Sequence, residues 1–208
     1  MLYPDCCILV FARAPVEGQV NTRLIPALGA ERATALHKEL LDRRLSQLAE
    51  AALCDVILMC TPDTEHAFFR HCRQQYGLSL AQQVGEDLGG RMRQGAARSL
   101  EKYEHCIIVG TDAPALGADD IKQAIVSLRQ ETEVVFVPAE DGGYVLLGLN
   151  QAYNCLFENI PWGSDRVLQQ SRLRLAENEI DFRELASCWD IDRPADYQRY
   201  LRMKAVAG

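Results

Sequence analysis

Short apolar runs alternate with longer amphipathic stretches along the whole chain. Runs of aliphatic residues and cysteine predict buried strands at 6–12, 55–60, 106–111, 134–138 and 144–149, with weaker strands at 78–84 and 182–188. Apolar residues spaced three and four positions apart predict helices at 30–53, 62–76, 88–103, 118–130, 166–177 and 195–203. Thr61 is expected to cap the second of these helices, with Pro62 in its first turn.

This alternation predicts an α/β fold with a mainly parallel central sheet and helices on both faces. The strands are continuously apolar, which is typical of strands buried on both sides. Only a short glycine-containing turn separates the runs at 134–138 and 144–149, so one antiparallel excursion is expected. The chain has 208 residues and no linker-like segment, and a single domain spanning 1–208 is predicted.

Composition and charge narrow the classes of partner. Hydrophobic residues make up 48% of the chain and charged residues 25%, as in ordinary globular proteins. A net charge of −7 argues against a broad basic face for nucleic acid or anionic lipid. No apolar run approaches the roughly 20 residues that span a bilayer, so a cytoplasmic protein without membrane association is expected. The eight cysteines form no Cys-x-x-Cys pair and are expected to be reduced, buried thiols.

Ligands of open α/β sheets bind beyond the carboxyl ends of the strands, so the loops that follow strands carry the candidate chemistry. The first of these loops, 13–23, contains Arg13, Gly18 and Arg23. Arginine offers fork-shaped donors that match phosphate oxygens, so this loop can cradle a polyphosphate. It matches neither the Walker A nor the dinucleotide-binding glycine pattern, and a solvated loop with ordinary ion pairs is the alternative.

Acidic residues follow two further strands. Asp112 stands at the tip of the central strand, where a carboxylate can hold Mg²⁺, although it could instead cap the next turn. Asp190 and Asp192 alternate near the C-terminal end, so they point to the same face of an extended segment. Capping of the last helix by Asp192 is the alternative reading.

An acidic, glycine-containing turn joins the two strands of the antiparallel excursion. In the segment Glu140-Asp141-Gly142-Gly143, two glycines allow close approach of the backbone to a ligand. A plain Asp-Gly hairpin turn explains the same residues. The four histidines fall in no catalytic or metal-binding spacing.

Five segments in this order together resemble the GT-A-type nucleotide-diphospho-sugar transferase superfamily. More narrowly, the chain resembles a bacterial family of uncharacterised transferases related to 2-phospholactate guanylyltransferase. The resemblance rests on 11–15 with Gly18 and 22–24, on 85–89 with 91–92, on 110–114, on 141–144 with 147–149, and on 190–192 with Pro194 and Asp196. Each segment alone is a weak signal, but the ordered set is specific and covers nearly the whole chain.

The resemblance implies a three-layer, Rossmann-like GT-A fold and a set of site residues. Mg²⁺ or Mn²⁺ would be held by Asp112 and Asp192, and the catalytic residues would be Asp112, Asp141 and Arg23. The nucleotide would be bound by Ala12, Arg13, Gly18, Asn21, Arg23, Gly85, Leu88, Gly89 and Arg91. The acceptor would be bound by Gly142, Gly143, Tyr144 and Trp162.

The implied activity is Mg²⁺-dependent transfer of a nucleoside monophosphate from a nucleoside triphosphate to a small phosphorylated or carboxylated acceptor. One difference from the family's first motif bears on this activity. Asn21 stands where the family usually has lysine, which removes a positive charge from the triphosphate site. Glycosyl transfer from a nucleotide-sugar is therefore a second hypothesis, although the Asp-x-Asp signature of such enzymes is absent after the central strand. A nucleotide-binding module without catalysis is a third. The sequence indicates no base preference and no oligomeric state.

Overall fold

The computed structural model describes residues 1–207 and contains one seven-stranded sheet. The strands are β1 Cys6–Arg13, β2 Asp55–Thr61, β3 Ser79–Gln82, β4 His105–Val109, β5 Val134–Pro138, β6 Tyr144–Leu149 and β7 Phe182–Glu184. Their order across the sheet is β3-β2-β1-β4-β6-β5-β7. Strand β6 runs antiparallel to both β4 and β5, and all the other pairs are parallel. The predicted sheet with one antiparallel excursion is confirmed.

The helices cover both faces of this sheet. They are α1 Ile25–Leu28, α2 Ala30–Ala51, α3 Ala67–Tyr76, α4 Leu88–Leu100, α5 Ala118–Arg129, α6 Val167–Glu177 and α7 Pro194–Ala207. Alternate residues of β1 point to opposite faces, so Ile8 packs in one core with α2, α3 and α5, whereas Leu9 packs in another with α4 and α6. A third, smaller core joins α7 to α2 through Tyr200 and Leu36. The predicted α/β layering is therefore confirmed.

Three predicted element boundaries are wrong by four residues or more. The second predicted helix begins at Ala67 rather than Pro62, because β2 stays paired with β1 as far as Thr61 and His66 provides the cap. The Nδ1 atom of His66 accepts a hydrogen bond from the Phe68 N–H at 3.2 Å. The strand expected at 182–188 ends at Glu184, and the last helix extends from Pro194 to Ala207.

The cysteines behave as expected from their apolar surroundings. All eight are free, and each is buried except Cys155, which is partly exposed. Across residues 1–207, no helix combines the length and the hydropathy needed to cross a bilayer.

Candidate functional site

A cleft of about 650 Å³ opens at the carboxyl ends of β1 and β4. Most of the residues predicted for the site line it: Ala12, Arg13, Asn21, Arg23, Leu88, Asp112, Asp141, Gly143, Tyr144, Trp162 and Asp192. A second groove of similar volume follows β2 and β3 at the sheet edge and contains none of these residues. The cleft at the strand ends is therefore the candidate site, as expected for this class of sheet.

The donor side of the cleft is the segment 13–23, which leaves β1 and crosses the strand ends. Its two arginines, Arg13 and Arg23, both line the cleft. Asn21 adopts a left-handed backbone conformation at φ 47°, and its amide donates a hydrogen bond to the Ala33 carbonyl at 3.2 Å. The side chain that replaces the family's usual lysine therefore fastens the segment to α2.

Arg23 and Asp192 join the donor side to the segment that precedes α7. Their Nη1 and Oδ2 atoms lie 2.6 Å apart, with 62% of the arginine side chain and 34% of the aspartate side chain exposed. The hydrogen bond from Arg23 to Asp192 is the main reason that the pKa of the guanidinium is raised. An exposed pair of this kind contributes little to stability, so Arg23 can exchange Asp192 for a ligand phosphate.

Asp112 lies on the floor of the cleft and is exposed to the solvent there. Its backbone carbonyl accepts a hydrogen bond from the Ile191 N–H at 2.8 Å, which holds the floor against the 190–192 segment. The surrounding protein atoms desolvate the carboxylate, which is the largest influence on Asp112 and raises its pKa, while a backbone hydrogen bond and the positive charge of Arg44 oppose that shift.

Asp190 is the acidic residue that faces Asp112 across the floor. Desolvation, followed by the negative charges of Asp112 and Asp141, raises the pKa of Asp190 to about 7. The sequence pattern placed Asp190 on the same face as Asp192, but the resemblance assigned it no role. The structure brings four carboxylates to this cleft, from Asp112, Asp141, Asp190 and Asp192.

Two buried polar side chains of α2 support the loops around the floor. The Nε2–H of His37 donates to the Arg13 carbonyl at 2.9 Å. The guanidinium of Arg44 is 3% exposed and donates to the carbonyls of Ala113 at 2.6 Å and Leu116 at 2.7 Å. Burial lowers the pKa of Arg44 to about 10, which leaves it charged at neutral pH. Neither residue was predicted from the sequence, because both occupy the inward face of a helix whose other inward positions are mostly leucines.

The opposite side of the cleft is formed by the β5–β6 turn and the segment 162–164. The Oδ1 atom of Asp141 accepts a hydrogen bond from the Gly143 N–H at 2.9 Å. The rings of Tyr144 and Trp162 meet edge to face, with centroids 6.4 Å apart and an interplanar angle of 86°. The antiparallel hairpin expected from Asp141-Gly142 is therefore present, and its turn also contributes a wall of the cleft.

Five predicted site residues do not line the cleft: Gly18, Gly85, Gly89, Arg91 and Gly142. The Nε–H of Arg91 donates to the Gly85 carbonyl at 3.1 Å, so this arginine supports its own loop. A Cβ atom on Gly89 would lie 2.4 Å from Nε1 of Trp162, so the absence of a side chain there lets the indole pack against α4.

The carboxylates on the floor suit a hard divalent cation. Mg²⁺ is commonly held by one or two carboxylates together with substrate phosphates, rather than by a complete protein cage. Asp112 and Asp192 offer such oxygens, provided that Asp192 is released from Arg23. Within residues 1–207, the one group of three acidic or metal-ligating side chains with donor atoms inside 4.8 Å is Asp5, Glu104 and His105, at the amino ends of β1 and β4.

Comparison with solved structures supports the GT-A-like fold. A protein from Desulfovibrio desulfuricans G20, provisionally described as a nucleotide-diphospho-sugar transferase, shares 26% identity with a TM-score of 0.82, covering 91% of this chain and 83% of that chain. CMP:2-keto-3-deoxy-manno-octonic acid synthetase complexed with CTP has a TM-score of 0.63 at 12% identity, covering 98% and 99%. The 4-diphosphocytidyl-2C-methyl-D-erythritol synthase of Anaerococcus prevotii DSM 20548 has a TM-score of 0.60 at 11% identity, covering 97% and 99%. No curated protein matches the sequence.

A family model described as "Uncharacterized protein conserved in bacteria (DUF2064)" matches residues 44–164. The matched region runs from Arg44 through Asp112 and the β5–β6 turn to Ser164, whereas the donor segment and Asp192 lie outside it. The resemblance to a bacterial family within the nucleotide-diphospho-sugar transferase superfamily is confirmed by this match and by the fold. The chain is a member of the DUF2064 family.

Proposed function

We propose that this protein is a nucleotide-dependent transferase that moves a nucleoside monophosphate from a nucleoside triphosphate to a small acceptor and releases pyrophosphate. The observation that carries the proposal is the meeting of Arg13 and Arg23 with Asp112 and Asp192 in one cleft at the strand ends. The fold it shares with a CTP-bound synthetase supports the same class of ligand.

In this proposal the arginines of the donor side bind the phosphates. Arg13 and Arg23 supply planar, permanently charged donors that match phosphate oxygens. Arg44 and His37 hold the backbone on which Asp112 and Arg13 stand, so the charged groups are positioned before the donor arrives. Positioning and electrostatic stabilisation supply most of the rate in phosphoryl and nucleotidyl transfer.

Asp112 and Asp192 would hold Mg²⁺ or Mn²⁺ in this proposal. Such an ion neutralises charge on the phosphates and orients them for displacement. Asp192 is exchangeable because its partner Arg23 is largely exposed. The expected phosphorylated or carboxylated acceptor has less support, since both arginines of the cleft lie on the donor side.

A thermal-stability screen tests the proposal directly. The protein is heated with each nucleoside triphosphate and with nucleotide-sugars, with and without Mg²⁺. A ligand at about 100 times its Kd adds about 2.7 kcal/mol to the free energy of unfolding. We expect an Mg²⁺-dependent increase in Tm with one triphosphate, followed by pyrophosphate release when acceptors are added. Absence of stabilisation by every nucleotide would contradict the proposal.

Glycosyl transfer from a nucleotide-sugar is the second candidate, and one observation favours it. The Asn21 amide is engaged with the Ala33 carbonyl, so the donor side offers two arginines and no third cation for a triphosphate. A diphosphate donor carries less negative charge than a triphosphate and is therefore a better match for two arginines. Stabilisation by a nucleotide-sugar alone, with release of a nucleoside diphosphate, would replace the first proposal with this one.

A further inference from the structure

The side of the cleft opposite the arginines has a distinct chemistry. Six residues form this acceptor wall: Asp141, Gly143, Tyr144, Trp162, Gly163 and Ser164. They comprise one carboxylate, two aromatic rings and three small residues, without a lysine, arginine or histidine. An acceptor phosphate or carboxylate would find no opposite charge on this wall.

Asp141 makes the wall repulsive to anions and attractive to hydroxyl groups. Its side chain is exposed, and its Oδ1 atom is held by the Gly143 N–H at 2.9 Å. Within residues 1–207, no lysine or arginine forms a salt bridge with it. An ionised carboxylate has about four acceptor positions, so most remain available to ligand hydroxyls. Like charges placed together across an interface are a strong means of rejecting the wrong partner.

The backbone beneath Asp141 has no room to retreat from a bulky anion. A Cβ atom on Gly142 would lie 2.1 Å from the Asp165 carbonyl oxygen, so the turn already touches the segment beneath it. The Gly142 carbonyl also accepts a hydrogen bond from the Leu168 N–H at 3.0 Å, at the start of α6. The turn that carries Asp141 is therefore fixed against the start of α6.

Trp162 gives the wall an aromatic surface in a fixed orientation. Its indole is wedged between the ring of Tyr144 and Gly89 at the start of α4, and it lines the cleft. The face of an aromatic ring carries partial negative charge and attracts the partly positive C–H groups of a ligand. A carboxylate beside such a ring suits a molecule with hydroxyl groups on one edge and C–H groups on its face.

We propose, building on the function above, that the acceptor is an uncharged polyhydroxylated molecule that reacts through a hydroxyl group. It lies against Trp162, and its reacting hydroxyl donates a hydrogen bond to Asp141. The hydroxyl oxygen forms a bond to the α-phosphorus of the donor, and the bond from that phosphorus to the pyrophosphate oxygen breaks. Pyrophosphate leaves with the bonding electrons, and Asp141 takes the hydroxyl proton.

Matched pairs of ligands test this assignment. Trp189→Phe leaves Trp162 as the sole tryptophan and thus as a fluorescence reporter, since the chain has two. This protein, saturated with a non-hydrolysable triphosphate and Mg²⁺, is titrated with glycerol, ribose and glucose and with glycerol 3-phosphate, ribose 5-phosphate and glucose 6-phosphate. We expect at least one neutral member to change the Trp162 emission with a Kd at least ten-fold lower than its phosphorylated partner.

Two variants separate the role of Asp141 from the general acidity of the protein. Asp141→Asn should lower the Kd of the phosphorylated ligand about ten-fold and remove the preference. Glu140→Gln removes the same charge one residue away, from a side chain paired with Arg199 outside the cleft, and should leave the preference unchanged. Preference of the parent protein for any phosphorylated ligand, or equal effects of both variants, would overturn the inference.

Nucleotide binding is measured first, so that the two proposals fail separately. If the protein binds no nucleotide, the proposed function is refuted. The same titrations on the nucleotide-free protein then show whether the acceptor wall prefers neutral or phosphorylated ligands. A protein that binds nucleotide but shows no response of Trp162 to any neutral ligand refutes only the acceptor assignment.

Discussion

The two sides of the cleft are held in place by different means. On the donor side and the floor, buried polar side chains of α2 hold backbone carbonyls: His37 binds that of Arg13, and Arg44 binds those of Ala113 and Leu116. The acceptor wall is held instead by the backbone hydrogen bond from the Leu168 N–H to the Gly142 carbonyl, by the close approach that Gly142 allows, and by the edge-to-face contact of Tyr144 with Trp162.

This difference agrees with the role that we propose for each side of the cleft. Charged groups must be placed accurately, and hydrogen bonds from buried donors lock the backbone that carries them. A wall that recognises shape needs close packing, which apolar contacts and small residues provide. We therefore expect the donor side to be sensitive to the loss of polar groups and the acceptor wall to be sensitive to added volume.

The largest effect is expected where the two sides meet, at Asp112. Asp112→Asn removes the floor carboxylate and should lower the rate of transfer at least about 100-fold, as removal of one key electrostatic group commonly does. It should also abolish the Mg²⁺-dependent part of the nucleotide-induced increase in Tm. Asp119→Asn, on the exposed first turn of α5, is the matched control. Retained turnover and an unchanged Mg²⁺ effect would exclude Asp112 from the site.

Arg44→Met tests the hydrogen bonds that Arg44 donates to the loop after β4, which carries Asp112. The substitution leaves the Ala113 carbonyl without its donor and leaves the Leu116 carbonyl with the Gln47 amide alone. We expect a loss of about 3 kcal/mol in the free energy of unfolding, measured with urea. Arg44→Lys should recover part of it, because an ammonium group reaches fewer carbonyls than a guanidinium. Arg43→Met changes the exposed neighbour and should be nearly neutral. Equal effects at positions 43 and 44 would contradict the bracing role.

Gly142→Ala tests the acceptor wall by adding a single carbon. The new Cβ would lie 2.1 Å from the Asp165 carbonyl oxygen at a residue with φ +93°, and we expect a loss of about 2–3 kcal/mol. Gly18→Ala is the control, since φ is +78° there but no atom lies within 4 Å of the new carbon. A loss of about 1 kcal/mol is expected at that position. Similar losses at both glycines would show that the contact with Asp165 is unimportant.

Asp190 predicts a smaller effect that depends on pH. Its pKa is about 7 in the folded protein against an ordinary value of 3.8, so between these values the folded state holds more protons than the unfolded state. The free energy of unfolding should therefore fall as pH rises from 4 to 7. Asp190→Asn should remove about 1–2 kcal/mol of this fall, visible as a shift of several degrees when Tm is compared at pH 5 and pH 8. Parallel curves for both proteins would contradict this prediction.

Much of the fold follows from local pattern, most clearly at β5 and β6. Their bounds, Val134–Pro138 and Tyr144–Leu149, are those expected from two aliphatic runs separated by a glycine turn. At α3 the local signal misleads, because Thr61-Pro62 has the form of a helix start while pairing with β1 keeps Thr61 in the sheet. Sheet partners distant in sequence decided that boundary.

The residues of the cleft that lie on loops after strands were predicted from the sequence, whereas the supporting residues on a helix were not. Arg13, Asp112 and Asp141 were found because strand ends are known ligand positions. His37 and Arg44 were missed because a helical pattern reports that a position faces inward, but not that it faces a carbonyl group. The pairing of Arg23 with Asp192 spans 169 positions, and no local pattern signals such a contact.

That separation also bears on how the protein is made. Chains are synthesised at roughly 5–20 residues per second, so residue 192 is added about 10–30 s after residue 23. During that interval Arg23 exists without the acidic partner that it has in the folded protein. The hydrogen bond that joins the segment 13–23 to the segment before α7 can therefore form only late in synthesis, after the strands of the sheet have been made.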